Sequence, residues 1–354
     1  MQVDAGVDLG FCLSETCWAS LSIGYGWASL GDMAICVTGG AGYIGAHIVH
    51  SLLLAGQDVV VVDDLSTGSP KRIGSSQLVQ LDLADTGQLG NLTNALDGCS
   101  AVIHIAARKQ VGESVAKPAW YYQQNVGGLA NLLMAMETQG IDRLVFSSSA
   151  ACYGQPPVDQ VNEDTPAQPI SPYGETKLIG EQLVRAAAKA WGLRVVSLRY
   201  FNVVGCGGDS LGDPAILNLV PMVFDRLRHH QAPLLFGHDY PTPDGSCVRD
   251  YIHVLDIASA HTAALDYLER EARPYDVFNI GTGQGTSVLQ VIDQVGRSTG
   301  LDTAPQVQAR RPGDPATLVA DPTRINQVFG WQAKHDLEQM IDSAWQAWQA
   351  DPPA

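Results

Sequence analysis

Short apolar runs alternate with longer amphipathic segments between residues 34 and 149 of this chain. The runs are AICVTG, DVVVVDD, LVQLD, AVIHIA and RLVFSSS, and a helix-like segment over 43–55 separates the first two. Continuous runs of valine and isoleucine suit strands that are buried on both faces. Alternation with helices implies right-handed crossovers and a parallel sheet. The pattern therefore predicts an α/β fold built on a doubly wound parallel sheet.

The composition changes after about residue 200. Gly, Pro and Asp cluster in GCGGDSLGDP and GHDYPTPDG, and irregular segments join helical runs over 216–230, 254–270, 287–299 and 334–349. Long loops inside a compact protein are usually functional. We therefore predict a Rossmann domain over 33–200, with RVVSLRYF as its late strand, and a smaller C-terminal α/β part over 201–354 that binds substrate.

Residues 1–32 differ from the rest of the chain. They contain no lysine or arginine, and the first basic residue of the sequence is Lys71. A secretory signal needs a basic start and a transit peptide is rich in arginine, so neither interpretation fits. Because Met33 opens the first strand-like run, we expect residues 1–32 to be a dispensable or disordered extension. A family-specific appendage is the alternative.

Charge and cysteine content limit the partners. The formal net charge of −16 opposes a broad attraction to nucleic acid or to an anionic membrane. No stretch reaches the roughly 18 uninterrupted apolar residues of a membrane span. The seven cysteines are scattered and lack the spacing of a zinc site, so we expect no metal. We predict reduced thiols and a cytoplasmic protein.

A glycine-rich turn predicts a dinucleotide site. In TGGAGYIG, Gly39, Gly42 and Gly45 follow a strand and open a helix, so the backbone around Tyr43 and Ile44 can approach a pyrophosphate at the helix N-terminus. Glycine-rich turns alone are common, and the downstream residues decide the interpretation.

Acidic residues at two strand ends indicate which dinucleotide binds. Asp63, 18 residues after Gly45, lies where an acid accepts hydrogen bonds from the adenosine ribose. With Asp64 beside it and no arginine nearby, a 2′-phosphate would meet two carboxylates, which selects NAD over NADP. Asp82, followed by Leu83, is a second strand-end acid on the adenine side. Capping of a strand end is the alternative role for each acid.

The stretch SPYGETK holds Tyr173 and Lys177 four residues apart, so both side chains lie on one face of a helix. A free tyrosine has a pKa of about 10 and is a poor base at neutral pH. A nearby ammonium and a positive nicotinamide ring both favour the phenolate and lower that pKa. Ser149 lies at the end of VFSSS, and its hydroxyl is predicted to form a hydrogen bond with the reacting oxygen. A lysine merely solvated on the helix surface is the alternative.

The order of these motifs resembles the extended short-chain dehydrogenase/reductase superfamily. Further stretches resemble the UDP-glucose 4-epimerase family, in order, from about Met33 to Trp331. They are KQVGESV, YYQQNV, SSSAACYG, SPYGETK, LRYFNVVG, FGHDYPTPDGSCVRDYIHVLDIA and RRPGD. The 23-residue stretch is the most specific of them.

The resemblance implies that Tyr173 takes the proton from the hydroxyl on carbon four of a UDP-linked hexose while the hydride passes to tightly held NAD. The 4-keto sugar then turns about its diphosphate linkage and receives the hydride on its other face. UDP-glucose and UDP-galactose are thereby interconverted and NAD is regenerated. By the same likeness Lys177 holds the nicotinamide ribose, Ser149 orients the oxygen, and Lys109 and Asn125 line the NAD pocket.

The resemblance also implies a site for the nucleotide end of the substrate. Its residues are Asn202, Asn218, Phe236, Arg249, Arg311, Asp314 and Leu318. Arginine forks suit a diphosphate, so Arg249 and Arg311 are its expected ligands, with the two asparagines as nearby donors. Asp314 matches a ribose contact, and Phe236 is placed to stack on uracil. Surface ion pairing and core packing are the alternatives. The family often forms homodimers through two helices per subunit, which 113–139 and 172–190 would supply.

Three other functions are alternatives to epimerisation of UDP-glucose and UDP-galactose. Nucleotide-sugar dehydratases and decarboxylases resemble one another in an acid two residues after the active-site Ser or Thr, and here that residue is Ala151, so elimination lacks its catalyst. An epimerase of a pentose or an N-acetylated hexose is the second alternative. Leu318, at the position that gates the N-acetyl group in the family, is bulky and favours UDP-glucose and UDP-galactose. A non-catalytic NAD-sensing regulator would have a damaged Tyr-x-x-x-Lys pair, which is intact here.

Overall fold

The structure is a computed structural model that describes residues 33–270, 273–311 and 313–353. The extension predicted over 1–32 lies outside these residues.

Fourteen strands occur in the described residues, most of them short. In chain order they are β1 Ala34–Thr38, β2 Val59–Asp63, β3 Gln77–Gln80, β4 Cys99–His104, β5 Arg143–Ser149, β6 Gln160–Val161, β7 Arg194–Tyr200, β8 Asn202–Val204, β9 Leu234–Phe236, β10 Val248–His253, β11 Tyr275–Ile280, β12 Gly285–Ser287, β13 Gln306–Gln308 and β14 Thr317–Ala320.

Eleven α-helices separate these strands in the same residues. They are α1 Tyr43–Leu54, α2 Leu89–Ala95, α3 Val111–Ala116, α4 Pro118–Tyr122, α5 Gly128–Gln139, α6 Pro172–Trp191, α7 Leu219–Arg228, α8 Val254–Arg270, α9 Val288–Thr299, α10 Thr323–Phe329 and α11 Leu337–Ala350. A π-helical turn, Gln123–Gly127, joins α4 to α5.

A seven-stranded parallel sheet forms the larger layer, in the order β3-β2-β1-β4-β5-β7-β11. Each of the five predicted apolar runs is one of its strands, and all residues of β2 and β4 are buried. The order reverses at β1, because β2 and β3 lie on one side of it and β4 and β5 on the other. The predicted doubly wound parallel sheet is confirmed.

Two apolar cores cover the faces of this sheet. One includes side chains of α1 and α8, such as Ile48 and Ile257, and the other includes side chains of α5 and α6, such as Leu132 and Val184. Because apolar side chains cover both faces of the sheet, residues on both sides of a strand can be apolar. This explains the continuous apolar runs from which the strands were predicted.

The smaller part contains a sheet in the order β12-β10-β14-β6, with β8 paired to β10, and a separate β13-β9 pair. A third apolar core, including Phe224, Val291 and Ile341, joins α7, α9 and α11. Strand β6 lies before residue 200 and β11 lies after it. Each of the two larger sheets therefore takes strands from both sides of the boundary predicted at that residue.

Within the described part of the chain, every helix is too short or too polar to span a bilayer. Five cysteines of that part are free and buried, namely Cys36, Cys99, Cys152, Cys206 and Cys247. Cys12 and Cys17 lie outside the described residues.

Candidate active site

The glycine turn between β1 and α1 is closely packed against the neighbouring strand ends. Gly39 has φ +73°, and a Cβ there would lie 2.6 Å from the backbone nitrogen of Ala106. A Cβ on Gly45 would lie 2.0 Å from the carbonyl oxygen of Gly39. No side chain fits at either position, so both glycines are required by the fold itself.

Gly42 differs from these two glycines, because the nearest atom to its Cβ position is 3.5 Å away, an ordinary contact. Gly42 is the N-cap of α1 and offers no side-chain cap, so the first N–H groups of the helix point out of the turn. The Tyr43 hydroxyl donates to the Gly205 carbonyl, and Ile44 packs against the core. Tyr43 and Ile44 can therefore contribute backbone N–H groups to an anion site.

Asp63 ends β2 and connects the glycine turn to the following loop. Its Oδ2 accepts from the Ala41 N–H at 3.0 Å and its Oδ1 from the Leu65 N–H at 2.8 Å. Burial raises the pKa of this carboxyl above its ordinary value. Each oxygen has a second lone pair, so Asp63 can also accept hydrogen bonds from a ribose.

Asp64 has an arginine beside it, and the sequence-based expectation of no arginine nearby is wrong. Arg108 Nη2 lies 2.5 Å from Asp64 Oδ2, although 44 residues separate them in the chain. Although partial burial opposes it, the hydrogen bonds from Ser66 and the charge of Arg108 hold the pKa of Asp64 below its ordinary value. The local charge at this strand end is therefore less negative than two adjacent acids imply.

Asp82 and Leu83 follow β3 at the same edge of the sheet. Asp82 Oδ1 accepts from the Ala84 N–H at 2.9 Å, and Oδ2 accepts from Gln124 Nε2 at 3.4 Å. Leu83 packs in the core that α5 covers. Asp82 is thus placed beside Asp63, and its contact with a cofactor stays a prediction.

Asn125 organises the loop that carries Lys109. Its Oδ1 accepts from the Arg108 N–H at 2.8 Å, and its Nδ2 donates to the Arg108 carbonyl and to Thr176 Oγ1, each at 3.0 Å. Lys109 is exposed in this loop. Asn125 therefore ties the loop to α6, and its direct contact with a cofactor, like that of Lys109, stays a prediction.

Helix α6 places the Tyr-x-x-x-Lys pair against the end of β5. The helix begins at Pro172, and the hydroxyl of its N-cap, Ser171, accepts from the Gly174 N–H at 3.2 Å. Tyr173 is 9% exposed and Lys177 is 3% exposed, so the alternative of a solvated surface lysine does not hold.

Ser149 lies beside the Tyr173 phenol, and its hydroxyl oxygen accepts from the Ala151 N–H at 3.2 Å. Lys177 Nζ donates to the carbonyl of Ser147 at 2.7 Å. The structure therefore brings Ser149, Tyr173 and Lys177 together at the carboxyl end of the sheet, where ligands bind in doubly wound folds.

Burial controls the protonation of this group. It raises the pKa of Tyr173 to about 12 and lowers the pKa of Lys177 to about 8. The sequence predicts that Lys177 and a nicotinamide ring together lower the tyrosine pKa. Within the chain itself the tyrosine pKa is raised instead. The buried phenol has lost its water, and the Lys177 ammonium donates to a backbone carbonyl and not to the phenol.

Sequence reasoning missed a buried ion pair beneath the site. Arg199 donates to both oxygens of Glu181, from Nε at 2.7 Å and from Nη2 at 2.6 Å. Ser148, next to Ser149, donates to the same carboxylate at 2.6 Å. Glu181 lies four residues after Lys177, so helical spacing was the signal that could have identified it.

A second group of predicted residues lies on β10, on β14 and in the segment before β14. Arg249 is paired in register with Leu318, and its Nη2 lies 3.6 Å from Asp314 Oδ1. Leu318 is 9% exposed and packs with Tyr153 and Phe201. Arg249 and Leu318 therefore lie side by side on adjacent strands, and Asp314 lies beside Arg249.

Phe236 and Arg311 form a pair, with the guanidinium carbon 4.0 Å from the ring centroid. This is a cation–π contact. Asn202 is exposed at the start of β8. Asn218 Nδ2 donates to Asp213 Oδ2 at 2.6 Å, so its amide is engaged within the chain. The roles of all four in binding remain predictions.

Comparison with known proteins identifies the family. A family model described as the NAD dependent epimerase/dehydratase family matches residues 35–281. A UDP-glucose 4-epimerase of Corynebacterium glutamicum is 42% identical over 318 residues, which cover 88% of this chain and 95% of the relative.

Two solved structures have the same fold. A UDP-glucose 4-epimerase of Stenotrophomonas maltophila with bound NAD and formylated UDP-arabinopyranose is 38% identical, with a TM-score of 0.84 over 90% of this chain and 98% of that one. The enzyme of Bifidobacterium longum in complex with NAD+ and UDP is 36% identical, with a TM-score of 0.84 over 90% and 99%. The chain therefore belongs to the NAD dependent epimerase/dehydratase family.

Proposed function

We propose that this chain interconverts UDP-galactose and UDP-glucose by oxidation and reduction at carbon four of the hexose. The observation that carries the proposal is the buried group of Tyr173, Ser149 and Lys177 at the carboxyl end of the parallel sheet. The relatives with this activity are about 40% identical over most of the chain, which supports the same chemistry.

The glycine turn fits NAD as the resident cofactor. The open space at Gly42 allows a pyrophosphate to approach the N-terminus of α1, and Asp63, which bonds the backbone of the turn, is the proposed acceptor for a ribose. When bound, NAD supplies a hydride acceptor for carbon four and a positive ring that favours the ionised form of Tyr173. Asp82, Leu83, Lys109 and Asn125 complete the proposed binding site.

Tyr173 performs the proton transfers in this mechanism. Its phenolate oxygen takes the proton of the hydroxyl on carbon four, and Ser149 holds that oxygen through a hydrogen bond. The 4-keto sugar then turns about its diphosphate linkage. Tyr173 returns the proton to the oxygen when the other face of the sugar is reduced. Lys177 holds the nicotinamide ribose.

The nucleotide end of the substrate is proposed to bind at β10, β9 and the segment before β14. Arg249 and Arg311 supply charge to the diphosphate, and Asp314, which lies within 3.6 Å of Arg249, contacts the ribose. Arg311 lies over the Phe236 ring, and Phe236 is proposed to stack on uracil. Asn202 and Asn218 complete the set as donors near the diphosphate.

Other reactions on this fold remain alternatives. Ala151, whose N–H bonds Ser149, has no carboxyl group that could move protons at carbon five or six, so a dehydratase is the less favoured alternative. A 4-epimerase of a pentose or an N-acetylated hexose is the closer one.

Replacing Leu318 with serine is expected to raise the kcat/KM for UDP-N-acetylgalactosamine relative to UDP-galactose by about tenfold or more, because a bulky side chain is removed from the proposed substrate surface. The measurement is epimerisation of both substrates by each variant. Leu318→Met, which keeps the volume, should leave the ratio unchanged. An unchanged ratio in the serine variant would show that Leu318 does not limit the substrate.

Replacing Gly42 with alanine is expected to weaken NAD binding by about tenfold while the free energy of unfolding stays near the wild-type value, since the new Cβ meets only an ordinary protein contact. Bound NAD is measured after gel filtration, and stability by urea unfolding. Gly112→Ala, where a Cβ meets open space, is the control. Unchanged NAD content in the Gly42 variant would contradict the site.

The proposed activity is tested by incubating the purified full chain with UDP-galactose, first without and then with added NAD, and identifying the product by NMR. We expect UDP-glucose. A 4-keto-6-deoxy product would indicate a dehydratase, and no conversion of UDP-galactose would exclude the proposed substrate.

We also propose a cytoplasmic homodimer that pairs through α5 and α6. The exposed Met134 on α5 offers apolar surface for such a contact. Molar mass by light scattering during gel filtration would distinguish the dimer from a monomer.

A further inference from the structure

Arg108 is held at the strand end where the adenosine ribose is expected. Its Nη2 contacts Asp64, its Nη1 donates to the Ser66 hydroxyl, and its Nε donates to Gln124 Oε1 at 3.1 Å. The guanidinium also lies 5.2 Å from the centroid of the Trp120 ring. Each nitrogen of the guanidinium therefore has a partner within the chain.

The position of this arginine matters because of the chemistry of the two dinucleotides. NAD and NADP differ by one phosphate on the adenosine 2′-oxygen, and an arginine near the acid after the second strand is what accommodates that phosphate in Rossmann folds. Asp64 directly follows Asp63, the predicted ribose ligand. The side chain of Arg108 is 22% exposed and that of Asp64 is 29% exposed, so both can reach a ligand at this edge.

We propose that Asp64 is a specificity-determining residue that keeps Arg108 from binding a 2′-phosphate. With the carboxylate present, the guanidinium is engaged and a phosphate would face negative charge. Without it, Nη2 of Arg108 has no partner and the guanidinium can bond a 2′-phosphate, so the site accepts NADP. The inference rests on the proposed NAD site.

Asp64→Asn tests this inference with little other change. Asp64 Oδ1 accepts from the Ser66 N–H at 2.9 Å and from the Ser66 hydroxyl at 2.6 Å, and an asparagine oxygen keeps both bonds. Only Oδ2, the oxygen that contacts Arg108, becomes an amide, which repels the guanidinium. The loop is therefore retained while Nη2 of Arg108 loses its partner.

The experiment is a competition on the full chain. Each variant is incubated with equal concentrations of NAD and NADP, separated from free nucleotide and denatured, and the released nucleotides are quantified by chromatography. We expect Asp64→Asn to raise the ratio of bound NADP to bound NAD by about tenfold or more, since a charge-assisted arginine–phosphate contact is gained. Asp64→Asn combined with Arg108→Met should return the ratio to the wild-type value.

Asp85→Asn is the control for charge, because it removes one negative charge at the same sheet edge from a carboxylate that bonds Gly87 and Gln88. Its ratio should match the wild type. A ratio that does not rise in Asp64→Asn, or that rises equally without Arg108, would overturn the inference. If wild type retains neither nucleotide, the proposed cofactor site itself fails, which is a separate result.

Discussion

Replacing Tyr173 with phenylalanine is expected to lower the rate of UDP-galactose epimerisation by about 10²- to 10⁴-fold, the usual contribution of a general base. The substitution removes the oxygen that exchanges the proton and keeps the ring that fills the buried position. Ser149 keeps its hydrogen bond from Ala151, so the strand end is retained. The measurement is the single-turnover rate, with bound NAD and the free energy of unfolding determined in parallel.

Tyr122→Phe is the matched control, because it removes a phenol that donates to Glu175 on the same helix as Tyr173. We expect its rate to stay near that of the wild type. Equal rates for Tyr173→Phe and wild type would remove Tyr173 from the mechanism and leave the base unidentified. A loss of bound NAD in the Tyr173 variant would instead indicate a role in cofactor binding.

The second large effect is expected from the ion pair of Glu181 and Arg199. Their side chains are 4% and 7% exposed, and burial opposes the charge of Arg199 while Glu181 raises its pKa above the ordinary value. Replacing either residue alone leaves a buried charge without a partner. We expect Glu181→Leu or Arg199→Met to lower the free energy of unfolding by about 3–5 kcal/mol, measured by urea unfolding.

The double variant should be less destabilised than the sum of the two single variants, because no lone charge remains. Lys117→Met is the control, since Lys117 pairs with Glu113 at the exposed surface, where such a pair contributes less than about 1 kcal/mol. Additive losses in the double variant would show that the pair acts through two independent contacts with its surroundings.

The large sheet could be predicted from the sequence because each strand is buried on both faces and its apolar run is continuous. Strands β6, β8 and β12 have two or three residues, too few for any periodicity, and were not predicted. The helical runs predicted over 216–230, 254–270, 287–299 and 334–349 agree with α7, α8, α9 and α11 to within three residues at each end, because the apolar faces of these helices repeat.

The candidate site also contains some features that the sequence predicts and others that it does not. Tyr173 and Lys177 share a helix, so their proximity follows from spacing alone. The pairs Asp64–Arg108 and Glu181–Arg199 join residues 44 and 18 positions apart on different elements, and only the packing of the sheet decides that they meet. The raised pKa of Tyr173 likewise depends on burial, which cannot be predicted from a short sequence motif.

The late position of β11 in the chain affects how the large sheet forms during synthesis. Strand β7 pairs from Val195 to Tyr200 with β11, which leaves the ribosome some eighty residues later. Until then β7 is an edge strand with unpaired backbone groups, and Tyr153 lacks its acceptor, Asn279. A nascent chain that ends near residue 200 therefore exposes an edge strand that is prone to aggregation. This edge is paired only after β11, which ends at Ile280, has emerged.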